Sequence, residues 1–234
     1  MSLIEINDVH KVYKGGEGEV HALRGVSLKV EEGEFLAMMG PSGSGKSTLL
    51  SVMGALNPPT SGSMLIDGID VYALDSERRA DFRHEYIGFV FQQFQLVPYL
   101  TALENVMLPL AISRYPDKEQ REMAKNVLEK VGLGEKCLRL PNQLSGGEQN
   151  RVAIARAIVN QPPIVFADEP TGSLDTQTGQ DILTLFQALN REGLTIIMVT
   201  HNKENLDWVQ RAVFIRDGSL EKSESYGPRM AQEG

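Results

Sequence analysis

The chain has 234 residues, 41% of them hydrophobic and 23% charged, and its formal net charge is -8. These fractions are typical of globular domains, so disordered, collagen-like and coiled-coil proteins are excluded. The length allows one domain with a sizeable core. Because nucleic-acid-binding proteins usually neutralise phosphates with a basic face, the acidic charge argues against a nucleic-acid partner.

The sequence also limits where the protein is expected to work. Cys137 is the single cysteine, so an internal disulfide and a multi-cysteine zinc site are excluded, and a reducing cytoplasm is expected. The first residues lack the basic and apolar regions of a secretory signal. The longest uncharged stretch, 47–66, contains two glycines and two prolines, so it does not predict a membrane-spanning helix.

The first part of the chain is predicted to form strands and the middle to form helices. Apolar residues have β spacing in four early stretches, 3–10, 20–30, 34–39 and 63–69. In the middle, Thr101 and Asp117 are suitable helix N-caps, and Gly132 is a suitable end for the second helix.

The last third alternates between the two types of element. Strands are predicted at 164–167, 195–200 and 212–215, with helices at about 176–190 and after residue 201. Such alternation predicts an α/β fold, in which a mainly parallel sheet is covered by helices on both faces.

A phosphate-binding loop is predicted directly after the strand at 34–39. Residues 40–47 match the pattern G-x-x-x-x-G-K-[ST], and a helix is predicted to follow. The glycines let backbone N–H groups point at phosphate oxygens, Lys46 reaches the outer phosphates, and the Ser47 hydroxyl reaches Mg²⁺. The nucleotide-binding residues predicted here are Gly40, Pro41, Ser42, Gly43, Ser44, Gly45, Lys46, Ser47 and Thr48.

Two adjacent acids follow the apolar strand at 164–167. In parallel sheets, functional residues lie at the carboxyl ends of the strands. We therefore predict that Asp168 holds Mg²⁺ and that Glu169 polarises the attacking water as a general base.

A second glycine-containing motif, Leu144-Ser-Gly-Gly-Glu-Gln149, opens another predicted helix. Its hydroxyl, its bare N–H groups and the helix N-terminus suit a phosphate group. The motif matches the signature of ATP-binding cassette (ABC) proteins, and the chain resembles an ABC ATPase subunit over nearly its whole length. The resemblance implies a P-loop NTPase fold with an antiparallel β subdomain and an α-helical subdomain, here an insert at about 93–160.

The resemblance further implies a homodimer that binds and hydrolyses Mg·ATP. In the family two subunits face head to tail, and each ATP lies between the phosphate loop of one subunit and the signature of the other. The residues expected to act on the ATP of the partner subunit are Ser145, Gly146, Gly147, Glu148, Ser173 and Asp175.

Three more positions match family residues. Tyr13 resembles the aromatic residue that stacks on adenine, and an ordinary strand tyrosine is the alternative. Gln92 resembles the glutamine that contacts Mg²⁺ and the attacking water, but the adjacent Gln93 leaves that choice open. His201 resembles the switch histidine that binds the γ-phosphate. One departure is Asn150, which stands where glutamine is expected after the signature.

Residues 88–110 resemble the subfamily of lipoprotein-releasing, macrolide-export and cell-division (LolD-, MacB- and FtsE-like) ATPases. Phe94, Leu96, Val97, Pro98 and Tyr99 would form an apolar loop if they were exposed, and they would add to the core if they folded inward. We expect an integral membrane transporter subunit to dock near residues 94–110.

The whole chain is thus expected to be one nucleotide-binding domain, with 219–234 as a polar tail, peripheral on the cytoplasmic face of a bacterial inner membrane. By resemblance, its task is export or extraction of a lipoprotein, peptide or hydrophobic drug. Two alternatives stay open: a regulatory ABC ATPase that controls cell-envelope enzymes through a membrane partner, and a soluble ABC ATPase that acts on ribosomes or DNA.

Overall fold

The computed structural model describes residues 2–15 and 18–227, which form two β-sheets and six α-helices. The strands are β1 (Ser2–Gly15), β2 (Gly18–Glu31), β3 (Phe35–Met39), β4 (Ser61–Ile66), β5 (Ile69–Asp70), β6 (Ile87–Val90), β7 (Ile164–Asp168), β8 (Thr195–Val199), β9 (Arg211–Arg216) and β10 (Ser219–Ser225). The helices are α1 (Lys46–Met53), α2 (Ser76–Tyr86), α3 (Ala102–Met107), α4 (Asp117–Lys130), α5 (Gly146–Ile158) and α6 (Thr176–Arg191).

The larger sheet has the strand order β10-β9-β3-β8-β7-β6. Its neighbours pair in parallel from β9 to β6, and β10 pairs antiparallel with β9. Every residue of β3 and β8 is buried, which is the pattern of a sheet covered on both faces. The predicted α/β fold is therefore confirmed. Because β3, β8 and β7 are neighbours, the residues that follow them lie along one edge of the sheet.

The smaller sheet has the order β2-β1-β4-β5, and all its strand pairs are antiparallel. In β2 the apolar side chains alternate with exposed polar ones, so one face of the sheet points inward. That face packs with Leu49 and Met53 of α1 in one apolar cluster. The small sheet thus supports the helix that follows the phosphate loop.

Helices α3, α4 and α5 pack together beside the large sheet. They share a second apolar cluster, to which Leu103, Leu128 and Ile154 belong. At the start of α3, Thr101 Oγ1 accepts a 3.2 Å hydrogen bond from the Glu104 N–H, and the Glu104 carboxylate accepts a 2.8 Å hydrogen bond from the Thr101 N–H. This capping box confirms Thr101 as an N-cap. Within the described residues, no helix is both long and apolar enough to cross a bilayer.

Two helices and the residues after 218 differ from the sequence prediction. Asp117 is not an N-cap but the first residue of α4, because Pro116 already has the extended conformation of that position. Helix α2 was not predicted, since Phe82 is its one buried residue and an apolar stripe is missing.

Residues 219–225 form strand β10 and are not part of a polar tail. This edge strand is polar, so it shows no apolar alternation, although its Lys222 lies over the ring of Phe214 with Nζ 4.3 Å from the ring centroid. Residues 228–234 of the predicted tail lie outside the described residues.

Candidate functional site

The predicted phosphate loop connects β3 to α1 across residues 40–45. Gly45 ends the loop with a φ of 103°, and a Cβ atom there would lie 2.5 Å from the carbonyl oxygen of Ala22 in β2. Glycine is needed at this position because both the backbone angle and the close approach exclude a side chain. The loop therefore fits tightly under the small sheet.

Lys46, the first residue of α1, folds its side chain back over the loop. Its Nζ donates hydrogen bonds to the carbonyl oxygens of Gly40 (2.8 Å) and Pro41 (2.7 Å). Burial lowers the pKa of Lys46, and the nearby Glu169 and Asp168 carboxylates oppose that shift. The ammonium group is thus held at the loop, where two acids face it.

A cavity of about 1060 Å³ opens above the loop. Eight of the nine loop residues predicted to bind nucleotide line it; Ser44 does not, and its buried Oγ has no hydrogen-bond partner in the described part of the chain. The remaining lining residues are Val20, His21, Ala22, Arg24, Glu169, His201, Asp217 and Gly218. The volume is close to the upper end of the range of ligand-binding cavities, which is about 1,000 Å³.

The two predicted acids stand where β7 ends. Asp168 is half-buried, and burial raises the pKa of its carboxyl group; the Glu169 charge adds to this, while Lys46 and a hydrogen bond from Ser47 oppose it. The Glu169 N–H donates to the Val199 carbonyl oxygen at 3.0 Å. The backbone of β8 therefore holds Glu169 at the cavity wall.

His201 lies close to Glu169, as the sheet order allows. Its Nδ1 is 2.8 Å from Glu169 Oε2, and both residues line the cavity. The structure thus brings together the phosphate loop, the two acids and the histidine that the sequence analysis selected separately.

The residues beside Asp168 fit a magnesium ion. The hydroxyl of Ser47 and the carboxylate of Asp168 form a hydrogen bond, so two hard oxygen ligands stand side by side. Among the described residues, no group of three or more histidine, cysteine, aspartate or glutamate side chains could hold a metal by itself. Mg²⁺ takes one or two ligands from the protein and the others from phosphates and water, so the Ser47 and Asp168 oxygens fit this ion.

Gln92 does not line the cavity but approaches Glu169 from the side. A Cβ atom on Gly172 would lie 3.1 Å from Gln92 Nε2 and 3.2 Å from Glu169 Oε2, so both side chains reach the same point. The Gln92 carbonyl oxygen accepts a 3.3 Å hydrogen bond from Ser173 Oγ. The choice between Gln92 and Gln93 stays a prediction.

Tyr13 lies next to the cavity without lining it. It pairs with the lining residue Val20 across the β1–β2 ladder, and its hydroxyl accepts a 2.8 Å hydrogen bond from Asn57 Nδ2. Lys11 Nζ stands 5.1 Å from its ring centroid. Tyr13 is 41% exposed, and its role on adenine stays a prediction.

The sequence analysis missed the residues that the small sheet and the β9–β10 turn bring to the loop. The Gly218 N–H donates to the Ser44 carbonyl oxygen at 3.0 Å, and the Arg24 N–H donates to the Gly218 carbonyl oxygen at 2.8 Å. No local motif marks these residues, because they lie far from the loop in the sequence. The Asp217-Gly218 pair was visible only as a turn signal.

The predicted signature forms the N-terminus of α5. Ser145 is the N-cap: its Oγ accepts from the Glu148 N–H at 3.3 Å, and Glu148 Oε2 accepts from the Ser145 N–H at 2.9 Å. Glu148 also forms an ion pair with Lys136. The hydrogen bond with Lys136 and that with Ser145 hold the pKa of Glu148 below its ordinary value. In the described chain, residues 144–149 do not line the cavity of their own phosphate loop.

Asp175, which was predicted to act at the dimer interface, is the N-cap of α6. Its carboxylate accepts hydrogen bonds from the Thr178 N–H (3.0 Å) and from Thr178 Oγ1 (2.6 Å), and both lower its pKa. Ser173 is exposed two residues earlier. These contacts give Asp175 a structural role within its own chain, and its action on a partner stays a prediction.

The segment predicted to dock a membrane subunit is only partly exposed. Phe94 and Leu96 pack against the helical cluster, whereas Tyr99 is 79% exposed. Arg156 of α5 donates to the carbonyl oxygens of Phe94 (2.7 Å) and Gln95 (2.6 Å). Three further exposed apolar side chains follow along the chain, Leu108, Ile112 and Tyr115.

The fold and the cavity define a P-loop nucleotide-binding protein, and comparison with known proteins identifies its family. Residues 23–172 match the family model described as ABC transporter. The chain therefore belongs to the ABC transporter family, as one of its ATP-hydrolysing cassettes.

Individual relatives agree with this assignment. An uncharacterised ABC transporter ATP-binding protein of Thermotoga maritima is 52% identical over 225 residues, covering 96% of each chain. The macrolide export ATP-binding/permease protein MacB of Syntrophobacter fumaroxidans is 51% identical, over 94% of this chain and 31% of MacB. A dimeric structure of the ATP-binding cassette MJ0796 in a post-hydrolysis state, bound to ADP and Pi, has a TM-score of 0.87, 44% identity, and coverage of 97% of this chain and 100% of that one. MJ0796 comes from Methanocaldococcus jannaschii.

Proposed function

We propose that this chain is the ATPase subunit that drives a separate membrane subunit, for export or extraction of a lipoprotein, a peptide or a hydrophobic drug. The observation that carries the chemical part of the proposal is the cavity in which the loop at Lys46 faces the Glu169–His201 pair. The export part is supported by the MacB relative, whose name describes macrolide export.

In the proposed site the chain binds the phosphates of ATP through residues 40–48. Backbone N–H groups at the start of α1 and the Lys46 ammonium contact the phosphate oxygens, and Tyr13 stacks on the adenine. Ser47, Asp168 and Gln92 would hold Mg²⁺, which offsets the phosphate charge when it is bound.

Hydrolysis in this proposal depends on Glu169. Its carboxylate accepts a proton from the water that attacks the γ-phosphorus, and the bond from that phosphorus to the bridging oxygen of ADP breaks. His201, which contacts Glu169 Oε2 at 2.8 Å, keeps that carboxylate oriented and donates to the γ-phosphate.

The proposed active form is a homodimer. The N-terminus of α5, with Ser145 as its cap, offers N–H groups for a phosphate. Among the described residues, this helix end does not line the cavity at the phosphate loop of its own chain. Two subunits placed head to tail would bring this end of α5, with Ser173 and Asp175, to the nucleotide of the partner subunit. The dimeric structure of the MJ0796 cassette, which is 44% identical, supports this arrangement.

The proposed membrane partner docks near residues 94–110, at the exposed Tyr99 and Leu108. A chain bound there would lie on the cytoplasmic face of the inner membrane. MacB supports this proposal because its name combines an ATP-binding part with a permease, and this chain covers 31% of its length.

The catalytic proposal is tested with Glu169→Gln and Lys46→Ala, measured by ATPase assay and by size-exclusion chromatography with and without Mg·ATP. Glu169→Gln should lose about 100-fold or more of the rate, as expected for loss of a general base, and should elute as a dimer with ATP. Lys46→Ala should neither hydrolyse ATP nor dimerise. Glu122→Gln, an exposed acid on α4, is the matched control. A Glu169→Gln protein that hydrolyses ATP at the wild-type rate would remove Glu169 from the base role.

The partner proposal is tested by affinity capture. Tagged Glu169→Gln with ATP is mixed with detergent-solubilised membranes of the source organism, and Lys46→Ala serves as the non-dimerising control. Recovery of one integral membrane protein with Glu169→Gln alone supports the transporter role. Recovery of ribosomal or DNA-bound proteins instead contradicts it, while the ATPase assignment stands.

A further inference from the structure

A buried polar side chain on α5 contacts the turn that carries Glu169. Asn150 lies in the second turn of α5 and is fully buried. Its Nδ2 donates a 2.5 Å hydrogen bond to the carbonyl oxygen of Pro170. Its Oδ1 is also buried and finds no hydrogen-bond partner within the described residues. An unpaired buried acceptor is destabilising, so stability alone does not account for an asparagine here.

The turn that receives this hydrogen bond has an uncommon backbone conformation. Glu169 has a φ of 48°, in the left-handed region that residues other than glycine occupy only where their surroundings hold them. Its carbonyl oxygen accepts from the Gly172 N–H at 3.0 Å, and its N–H donates to Val199 at 3.0 Å. Asn150 adds a hydrogen bond from α5 to Pro170, the residue that follows Glu169.

We infer that Asn150 is a positioning residue for Glu169. By holding the Pro170 carbonyl oxygen, its carboxamide fixes the turn in the conformation that points Glu169 Oε2 into the cavity. Because α5 begins at the signature, the same helix then connects the residues that meet the partner's nucleotide with the general base for the chain's own nucleotide. The inference rests on the role proposed for Glu169.

Two substitutions distinguish a role of Asn150 in orienting Glu169 from a role in stability alone. Asn150→Leu keeps the same branching of side-chain heavy atoms and cannot donate to Pro170. Its melting temperature should change by no more than about 4 °C, because the unpaired Oδ1 is removed while the Pro170 carbonyl oxygen loses its partner. Its kcat should fall by about 10- to 100-fold with an unchanged KM for ATP, since a misplaced base affects the chemical step. Asn150→Gln, which keeps a carboxamide, should recover most of the rate.

A matched control and a double variant complete the test. Asn160, just beyond α5, also donates to a backbone carbonyl oxygen, that of His84 at 3.2 Å, but it does not touch the Glu169 turn. Asn160→Leu should therefore leave kcat unchanged. In a Glu169→Gln background, Asn150→Leu should have no further effect on the residual rate, because Asn150 acts through Glu169.

Each outcome has a distinct meaning. If Asn150→Leu lowers the rate equally with and without Glu169, or lowers kcat no more than Asn160→Leu does, the positioning role is refuted. If Glu169→Gln alone keeps full activity, it is the proposed base that fails. Should Asn150→Leu not fold, the smaller Asn150→Ala is measured in the same way and is expected to give the same loss of kcat.

Discussion

Replacing Gly45 with alanine should destabilise the chain more than the same replacement at Gly43, although both residues belong to the phosphate loop. Both have a positive φ, 103° and 76°, so each substitution carries backbone strain of about 1–3 kcal/mol. At Gly45 the new Cβ would also meet the Ala22 carbonyl oxygen at 2.5 Å, whereas at Gly43 nothing lies within 4 Å. Overpacking costs about 1–3 kcal/mol, so Gly45→Ala should lose about 2 kcal/mol more.

The measurement is thermal unfolding of both variants without nucleotide. For a chain of this size, about 2 kcal/mol corresponds to a difference in melting temperature of about 4–8 °C. Below the melting temperature, Gly45→Ala should also lose about 100-fold in ATPase rate, since the relief of a 2.5 Å contact displaces the adjacent Lys46. Equal melting temperatures for the two variants would refute the reasoning, because they would show that β2 moves away from the new methyl group without a loss of stability.

Three further predictions concern single side chains. Burial raises the pKa of Asp168, so ionisation of this carboxyl group destabilises the folded chain at pH values above its unfolded pKa of about 3.9. Asp168→Asn should therefore raise the melting temperature at pH 7, and this gain should vanish near pH 4. The same variant should lose ATPase activity. Thr101→Ala removes the cap of α3 and should lower stability by about 1 kcal/mol in denaturant unfolding, whereas Thr101→Ser should not. Lys136→Met should raise the pKa of Glu148 towards its ordinary value in a carboxyl NMR titration, and an unchanged value would show that the ion pair contributes nothing.

The sequence predicted the parts of the site that are built from consecutive residues. The phosphate loop and the acids at 168–169 follow buried strands whose apolar runs are unambiguous, and the strand ends define where their side chains lie. The N-cap at Thr101 and the helix that begins at the signature were predicted for the same reason, since each start signal lies within a few consecutive residues.

The parts that could not be predicted depend on residues far apart in the sequence. Arg24 and Gly218 reach the phosphate loop through the small sheet and the β9–β10 turn, and no periodicity reports such contacts. Phe94 and Leu96 pack against the helical cluster, and Arg156 donates to the Phe94 carbonyl oxygen from a distant helix. The apolar sequence of the loop alone predicted burial and exposure equally well. The contact between Asn150 and Pro170 joins two motifs that were each visible but unrelated.

Helix α5 has a mechanical consequence that follows from where its contacts lie. Ser145 caps one end, and Arg156 holds the Phe94 and Gln95 carbonyl oxygens near the other, about 16 Å away at 1.5 Å per residue. A helix of this length behaves as a stiff lever. If the signature end is displaced by a nucleotide, the segment predicted to face the membrane partner is displaced with it. The chain would thus pass a displacement through one element, from the end that Ser145 caps to the loop that Arg156 holds.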